Sequence, residues 1–370
     1  MQFVRLIAAV LSCAASFSSL ASPPLYRAMD WGLWGDGKRA TVGFDLNDHD
    51  VALGVADNHL WWKRNRGASY LPEPRRAWSA LYAINNRGNM AGTLITEVSR
   101  KQTAILVKSD RTVLPFLKGT WAAHSLADFP IIDISNSDQV LGQSKWPWVW
   151  SADRGVRPIV NGPYTLYVQR LNDMGQVVGY SESPQNMCPS VRAFVYDSNT
   201  EEFTALDDGP PIGWVHCGRE SRAYGINNRG QVVGSGYLTH RHDNPKGRVA
   251  FMWSLDTGRR TLEPADGRMR DMTALDINNR GQVVGTFSYV DDGAGTPPRF
   301  FYWDEESGVV DLQSLLDPAD PLTADVTLWH NGANVRISDR GLIMVSGRLN
   351  SYKPPPFNVA HRTFVLVPQQ

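Results

Sequence analysis

Hydrophobic and polar positions repeat along this chain in one order: a short apolar segment, a polar turn, and a second short apolar segment. The clearest copy spans residues 226–234 and reads INNRGQVVG. Short apolar runs bounded by Asn, Asp and Gly are typical of β-strands joined by tight turns. The motif occurs seven times, at residues 44–54, 82–92, 132–142, 169–179, 224–234, 275–285 and 335–345.

The polar centre of each copy predicts a hairpin turn. Asn or Ser occupies the first turn position, where its side chain can bond the backbone two residues on. Gly usually occupies the fourth position, which a tight hairpin requires in the left-handed conformation. Asp50 and Asp138 replace this Gly in two copies, and Asp is among the few residues that tolerate the conformation.

Two further segments follow most copies: an aromatic or β-branched run such as Ala250–Trp253, and a shorter one that ends in Leu. Each unit therefore contains four predicted strands, A to D. Successive copies end 37 to 60 residues apart, a spacing that suits four-stranded propeller blades. The sequence predicts an all-β fold: a seven-bladed β-propeller of four-stranded antiparallel blades. An open solenoid, a two-sheet sandwich, and rings of six or eight blades remain alternatives.

The seventh unit ends after its C strand, at residues 363–367, and lacks a D strand. Residues 25–31 precede the first A strand and belong to no unit. We predict that this N-terminal strand closes the last blade, because the pairing removes an exposed sheet edge.

The first 21 residues resemble a secretory signal peptide. One Arg precedes an apolar stretch, and Ser19 and Ala21 offer the small residues of a cleavage site. The apolar stretch is too short to span a membrane. We therefore expect a secreted or periplasmic protein without membrane insertion, in which residues 22–370 form a single propeller domain.

Charge and cysteine content limit the classes of partner. Lys plus Arg and Asp plus Glu number 37 each, so no net charge favours nucleic acid. Cys188 and Cys217 remain after removal of the signal segment, and an isolated pair in an oxidising compartment predicts a disulfide. Two independent thiols are the alternative.

The candidate recognition surface is the face that carries the B–C and D–A loops, here called the long-loop face. Those loops are long and variable, whereas the A–B turns on the opposite face are uniform, and variable loops are the usual place for recognition. Both cysteines lie in loops of this face. The ligand-binding candidates form two groups. The polar group is His240, His242, Asp243 and His216, with His124, and the aromatic platform is Trp121, Trp214 and Tyr352, with Phe357 and Trp329.

Neither group has a specific signature. The histidines lack the ligand spacing of a zinc site, so a solvated polar loop is the alternative. Packing of the loops over the blades is the alternative for the aromatic residues. No metal and no cofactor is predicted.

The motif at residues 226–234, followed by Ala250–Trp253, resembles the bacterial extracellular HAF-repeat proteins over nearly the whole mature chain. The resemblance implies an extracellular protein without an assigned catalytic set. The His that gives that family its name is replaced here by Arg192, Val249, Arg299 and Arg362.

Three functions remain open. The first is a secreted scaffold that binds a protein, peptide or glycan through the long-loop face. The second is an extracellular propeller hydrolase or lyase acting on a polymer, although none of the usual catalytic motifs occurs. The third is a structural envelope or surface component.

Overall fold

The structure is a computed structural model of the 370-residue chain. It describes residues 23–30, 42–55, 59–63, 67–70, 77–96, 102–116, 131–184, 190–206, 220–237, 247–293, 295–330, 332, 334–351 and 362–369.

The described chain forms an all-β propeller. Six sheets, here called blades 1 to 6 in chain order, each contain four antiparallel strands in sequential order. Their strands are β2 Val42–Leu46, β3 Val51–Val55, β4 His59–Lys63 and β5 Gly67–Tyr70; β6 Ala77–Ile84, β7 Met90–Thr96, β8 Gln102–Val107 and β9 Val113–Pro115; β10 Ile131–Ile134, β11 Val140–Gly142, β12 Trp148–Ser151 and β13 Gly155–Pro158; β14 Thr165–Leu171, β15 Gln176–Glu182, β16 Val191–Asp197 and β17 Glu202–Ala205; β18 Ser221–Ile226, β19 Val232–Gly236, β20 Val249–Ser254 and β21 Gly258–Thr261; β22 Met269–Ile277, β23 Val283–Tyr289, β24 Arg299–Asp304 and β25 Gly308–Asp311.

The remaining sheet, here called the closing sheet, corrects the prediction of seven four-stranded blades, because it has five strands. Its inner strand is split into two segments. Trp329, which follows the first segment, still bonds to the neighbouring strand: its N–H donates to the Ser346 carbonyl, and its carbonyl accepts the Ser346 hydroxyl. The next residue, His330, turns away, and its N–H donates to the Pro298 carbonyl of blade 6. Its elements are β1 Tyr26–Asp30, β26 Val326–Leu328, β27 Arg336–Ile337, β28 Ile343–Leu349 and β29 Arg362–Pro368. A 3₁₀-helix, Leu312–Leu315, and one α-helical turn, α1 Pro321–Ala324, connect blade 6 to the closing sheet.

The predicted closure by the N-terminal strand is confirmed. β1 pairs antiparallel with β29, from Tyr26 opposite Pro368 to Asp30 opposite Phe364. The Arg362 guanidinium binds the Asp30 carboxylate at 2.6 Å, and both side chains are almost fully buried. The two ends of the chain are thereby joined in one sheet.

The predicted turn chemistry is also confirmed. The fourth turn position has a positive φ in all seven copies, including 59° at Asp50 and 62° at Asp138. In blade 5 the Gly230 N–H donates to the Asn227 carbonyl at 3.1 Å, as a type I turn requires.

Apolar side chains from consecutive sheets pack against each other. Between blades 4 and 5, for example, the buried Val178 and Ala193 contact the fully buried Phe251. Each sheet therefore needs its neighbours to bury its faces, as expected of a repeat architecture.

The first strand of every four-stranded blade contains a bulge just before the turn. In blade 5 the pairing shifts between Ala223 and Gly225; equivalent shifts occur in the other five blades. Next to the bulge, the last Gly of the motif has no room for a side chain: a Cβ on Gly234 would lie 2.0 Å from the Arg222 carbonyl oxygen.

Gly234→Ala is therefore expected to lower the free energy of unfolding by about 2 kcal/mol, because a backbone atom cannot move aside as a side chain can. Urea denaturation followed by tryptophan fluorescence measures this change. Gly293→Ala is the matched control, since nothing lies within 4 Å of a Cβ there. Equal stability of the two variants would contradict the expectation.

Candidate functional site

Apart from Trp329, the ligand-binding and disulfide residues predicted from the sequence lie outside the described residues. They are His240, His242, Asp243, His216, His124, Trp121, Trp214, Tyr352, Phe357, Cys188 and Cys217. Their grouping and the disulfide stay predictions. The described residues do include the ends of the loop segments in which several of these predicted residues lie.

The ends of three long loops meet at Glu220. Val191 forms a parallel bridge with Glu220, and the Tyr237 N–H donates to the Glu220 carbonyl at 3.0 Å. The Arg248 guanidinium binds the Glu220 carboxylate at 3.1 Å. Val191 follows the segment with Cys188, Glu220 follows the segment with His216 and Cys217, and Tyr237 and Arg248 flank the segment with His240 and His242. The described anchors of these loops are therefore neighbours on blades 4 and 5.

A stack of aromatic and cationic side chains lies beside this junction. The rings of Tyr167 and Tyr180 are 4.9 Å apart and nearly parallel. The Arg222 guanidinium lies 5.1 Å from the centre of the Tyr180 ring and also pairs with the Glu220 carboxylate. All four side chains are half-buried. We call Tyr167, Tyr180, Arg222, Glu220 and Arg248 the junction cluster.

The tyrosine hydroxyls of the junction cluster remain protonated at neutral pH. Burial raises the pKa of Tyr180, and the Arg222 charge opposes this only in part. Burial also raises the pKa of Tyr167, and the neighbouring Glu182 carboxylate adds to the increase. The Tyr167 hydroxyl bonds the Glu182 carboxylate, whereas the protonated Tyr180 hydroxyl can donate a hydrogen bond to a ligand.

Similar pairs continue along the long-loop face of blades 3 to 6 and the closing sheet. The rings and their cations are Trp146 with Lys145 at 4.6 Å, Tyr237 with Arg248 at 6.0 Å, Tyr289 with Arg268 at 5.6 Å and Arg299 at 5.1 Å, and Trp329 with Arg348 at 6.0 Å. We call these pairs the aromatic–cation rim. A cation held over a ring contributes about 0.5–2 kcal/mol of attraction, depending on its exposure.

This arrangement suits recognition. Tyr, Trp and Arg contribute most of the binding energy at protein interfaces, and Tyr offers a large contact area at a low entropy cost. Among the described residues, no group of three or more His, Cys, Asp or Glu side chains could hold a metal ion.

Sequence reasoning missed the junction cluster and named only Trp329 of the rim. A signal was present: Tyr180, Tyr237 and Tyr289 each follow the last Gly of a motif within four residues. Their arginine partners come from other strands, so sequence spacing could not reveal the pairs.

The opposite face of the propeller is closed by the seven turns. The side chain at each second turn position accepts a hydrogen bond from the backbone N–H of the second turn position in the preceding unit. The Asp339 N–H of the last unit donates to the Asp48 carboxylate of the first, which closes the ring. The residues of this ring are Asp48, Asn86, Asn136, Asp173, Asn228, Asn279 and Asp339. This closed ring of hydrogen bonds agrees with the interpretation of the uniform A–B turns as structural.

A central cavity of about 150 Å³ lies behind the ring. In addition to the ring aspartates Asp48, Asp173 and Asp339, its lining includes the carboxylates of Asp45, Asp133 and Asp276 and the guanidiniums of Arg170 and Arg336. Asp45 binds Arg336 at 3.1 Å, and Asp276 lies 4.0 Å from Arg170. Each carboxylate also accepts the backbone N–H of the next unit; Asp133, for example, accepts that of Leu171 at 2.9 Å. Ionisation of Asp45, Asp133 and Asp276 would exceed the charge of the two guanidiniums, and the ring aspartates lie in the same cavity.

Burial therefore raises the pKa of these carboxyls, although Arg170 opposes the change. The pKa values are about 6 for Asp45, about 7 for Asp133 and about 7 for Asp276. Their hydrogen bonds to the backbone of neighbouring units indicate a structural role for the channel.

The stability of the propeller should depend on pH through Asp133. Its pKa is about 7 in the folded protein against a usual 3.8, so the folded state binds a proton that the unfolded chain releases. This contribution is present at low pH and is lost as the pH rises from about 4 to about 7. The urea midpoint should therefore fall across this range.

Asp133→Asn should reduce the slope of this pH dependence without abolishing it, because the replaced group does not titrate while Asp45 and Asp276 still do. Asp256→Asn is the control, since Asp256 is exposed in a turn and the slope should persist there. An unchanged slope in Asp133→Asn would show that this carboxyl does not titrate in the expected range.

One family model matches part of the chain. Residues 169–263 match the family described as "Protein of unknown function (DUF3466)". This segment contains the fourth and fifth motifs and most of the junction cluster. No curated protein sequence matches the chain.

Solved structures resemble the chain at low identity. A xyloglucanase from Xanthomonas campestris is 12% identical with a TM-score of 0.50; the match covers 93% of this chain and 56% of that one. The β-propeller domain of the trilobed protease from Pyrococcus furiosus is 10% identical with a TM-score of 0.46, over 74% and 80% of the two chains. An oligogalacturonate lyase from Vibrio parahaemolyticus is 10% identical with a TM-score of 0.38, over 93% and 98%. These likenesses concern the fold alone.

Among the described residues, no helix has the length and apolar character needed to cross a membrane.

Proposed function

We propose that this protein is an exported propeller scaffold that binds an extracellular protein, peptide or glycan through its long-loop face. The junction cluster is the centre of this proposed surface. The observation that carries the proposal is the stack of Tyr167, Tyr180 and Arg222 beside Glu220, where three loop ends meet.

Two features support recognition on this face. The rings and guanidiniums are partly exposed and are held in place by each other, so little side-chain entropy is lost when a partner binds. The opposite end of the channel is closed by the hydrogen-bonded turn ring, whose polar groups already bind each other. A partner therefore finds preorganised, incompletely buried groups on the long-loop face.

The proposal includes export of the chain and a single propeller unit over residues 22–370. The signal-like residues 1–21 support export. The pairing of β1 with β29 supports a single unit, because the two ends of the chain share a sheet. The likeness to HAF-repeat extracellular proteins, which rests on the motif residues, is part of the same proposal.

The test is a binding screen of the mature protein on immobilised glycan and peptide arrays, followed by affinity measurement for each hit. Tyr167→Ala and Arg222→Gln should each weaken binding by about tenfold or more, as expected for residues that carry a large share of interface energy. Met174→Ala, on the exposed turn face, is the matched control and should leave the affinity unchanged.

Loss of affinity in Met174→Ala with none in the junction variants would place the binding surface elsewhere and overturn the proposal. Release of shortened products from a bound glycan or peptide would instead support the hydrolase or lyase alternative.

A further inference from the structure

The third turn position carries arginine in four of the seven units. Each of these arginine side chains lies next to the residue at the fourth turn position of the following unit. Arg87 lies 3.8 Å from the Asp138 carboxylate, and Arg340 lies 3.7 Å from Asp50. Where the fourth position is Gly, no carboxylate of the described residues forms an ion pair with the arginine. A Cβ on Gly341 would lie 2.5 Å from Arg280 Nη2, so this guanidinium rests against the next turn.

Arg229 is the other arginine of this kind, and it lies against Gly281. Arg280 differs from Arg229 because it borders a large cavity. The cavity, of about 1560 Å³, lies between the turns of blade 6 and the closing sheet and the edge strand β1. Arg27 and Arg340 line the same cavity, so three guanidiniums surround one space.

The carboxylates of the cavity wall are bound to other groups. Asp30 is paired with the buried Arg362. Asp320 caps α1 by accepting hydrogen bonds from the Thr323 backbone and hydroxyl. Asp339 accepts both the backbone and side-chain N–H groups of Asn279 in the turn ring. Within the described part of the chain, the Arg280 guanidinium has no carboxylate partner.

A second group at the same place lacks an acceptor. Tyr26 belongs to the cavity wall, and its hydroxyl is buried without a hydrogen-bond partner among the described residues. Burial raises the pKa of this hydroxyl; the Arg280 charge opposes the increase and the Asp304 charge adds to it. The hydroxyl is therefore a protonated donor in the neighbourhood of the Asp304 carboxylate and of the exposed Arg280 guanidinium.

We propose that this cavity binds a small organic anion through an oxyanion group, a phosphate or a carboxylate, held by the Arg280 guanidinium. Arginine suits such a group because its planar donors can bind two oxygens at once. Arg27 and Arg340 increase the positive potential at the site, although each has an aspartate within 4 Å. The site is separate from the long-loop face and does not depend on the proposed function.

The experiment is isothermal titration of the mature protein with inorganic phosphate and, separately, with acetate, at constant ionic strength. We expect saturable binding of at least one anion with a stoichiometry of one. Arg280→Gln should weaken that binding by about tenfold or more, in line with the loss of a charge-assisted pair. Saturation by phosphate but not acetate identifies a phosphate ligand, and the reverse identifies a carboxylate.

Arg229→Gln is the matched control, because Arg229 occupies the same turn position and lacks a carboxylate but does not line the cavity. It should leave the anion affinity within about twofold of the wild type. The proposal is overturned if neither anion binds saturably. It is also overturned if Arg280→Gln binds as tightly as the wild type, or if Arg229→Gln weakens binding as much. Melting curves of both variants confirm that each is folded.

Discussion

Asn227→Asp should lower the free energy of unfolding by about 4 kcal/mol, because it places an uncompensated charge in a saturated buried hydrogen-bond network. The Asn227 side chain is 3% exposed. Its oxygen accepts the N–H groups of Arg229 and Gln231, and its amide donates to the Gln231 side chain and to the Asn278 carbonyl of the next blade. Aspartate keeps the two accepted bonds and turns the two donated ones into repulsions between oxygens.

Asn227→Ser is the matched control, because the chain itself uses Ser135 and Ser338 at equivalent positions. Ser135 Oγ accepts the Gln139 N–H at 3.1 Å, so serine can support the turn while losing the link to the next blade. We expect Asn227→Ser to cost about 1–2 kcal/mol. Urea denaturation at neutral pH compares the variants. A loss in Asn227→Asp no greater than in Asn227→Ser would contradict the argument.

Arg362→Met should also lower the free energy of unfolding by about 4 kcal/mol, because it leaves the Asp30 carboxylate buried without its cation. The two side chains are only 4% and 1% exposed, and they join β1 to β29. We expect the loss to release β1 first. Hydrogen exchange should therefore accelerate at residues 26–30 before it changes in blades 2 to 5.

Two comparisons isolate this ion pair. Arg27→Met removes a mainly exposed arginine of the same strand that lies 3.6 Å from Asp317, and it should cost less than about 1 kcal/mol. The double variant Asp30→Asn/Arg362→Met should be more stable than Arg362→Met alone, because it also removes the buried carboxylate charge that Arg362 neutralises in the wild type. A double variant less stable than both single variants would refute the assignment.

The sequence alone predicted the repeating hairpins correctly, down to the left-handed Asp50 and Asp138. It also predicted the pairing of β1 with β29. It was wrong about the strand count of the closing sheet, since the hydrophobic pattern gives no sign that His330 bonds to Pro298 of blade 6 and that the inner strand is split there.

The junction cluster was beyond sequence reasoning for a different reason. Tyr167 and Tyr180 belong to blade 4, and Arg222 comes from blade 5. Their contact depends on how two sheets pack, and no residue spacing within one repeat encodes that distance. The three carboxylates of the channel converge in the same way from blades 1, 3 and 6.

Local chemistry therefore determined what could be predicted: turn residues fix their own backbone within four positions, and alternating apolar residues define strands. Only the tertiary structure decided which turns bond in a closed ring, which side chains stack on the long-loop face, and that Arg280 meets no carboxylate among the described residues. These features arise between sheets, where residues 38 to 291 positions apart meet because each sheet must bury its faces against the next.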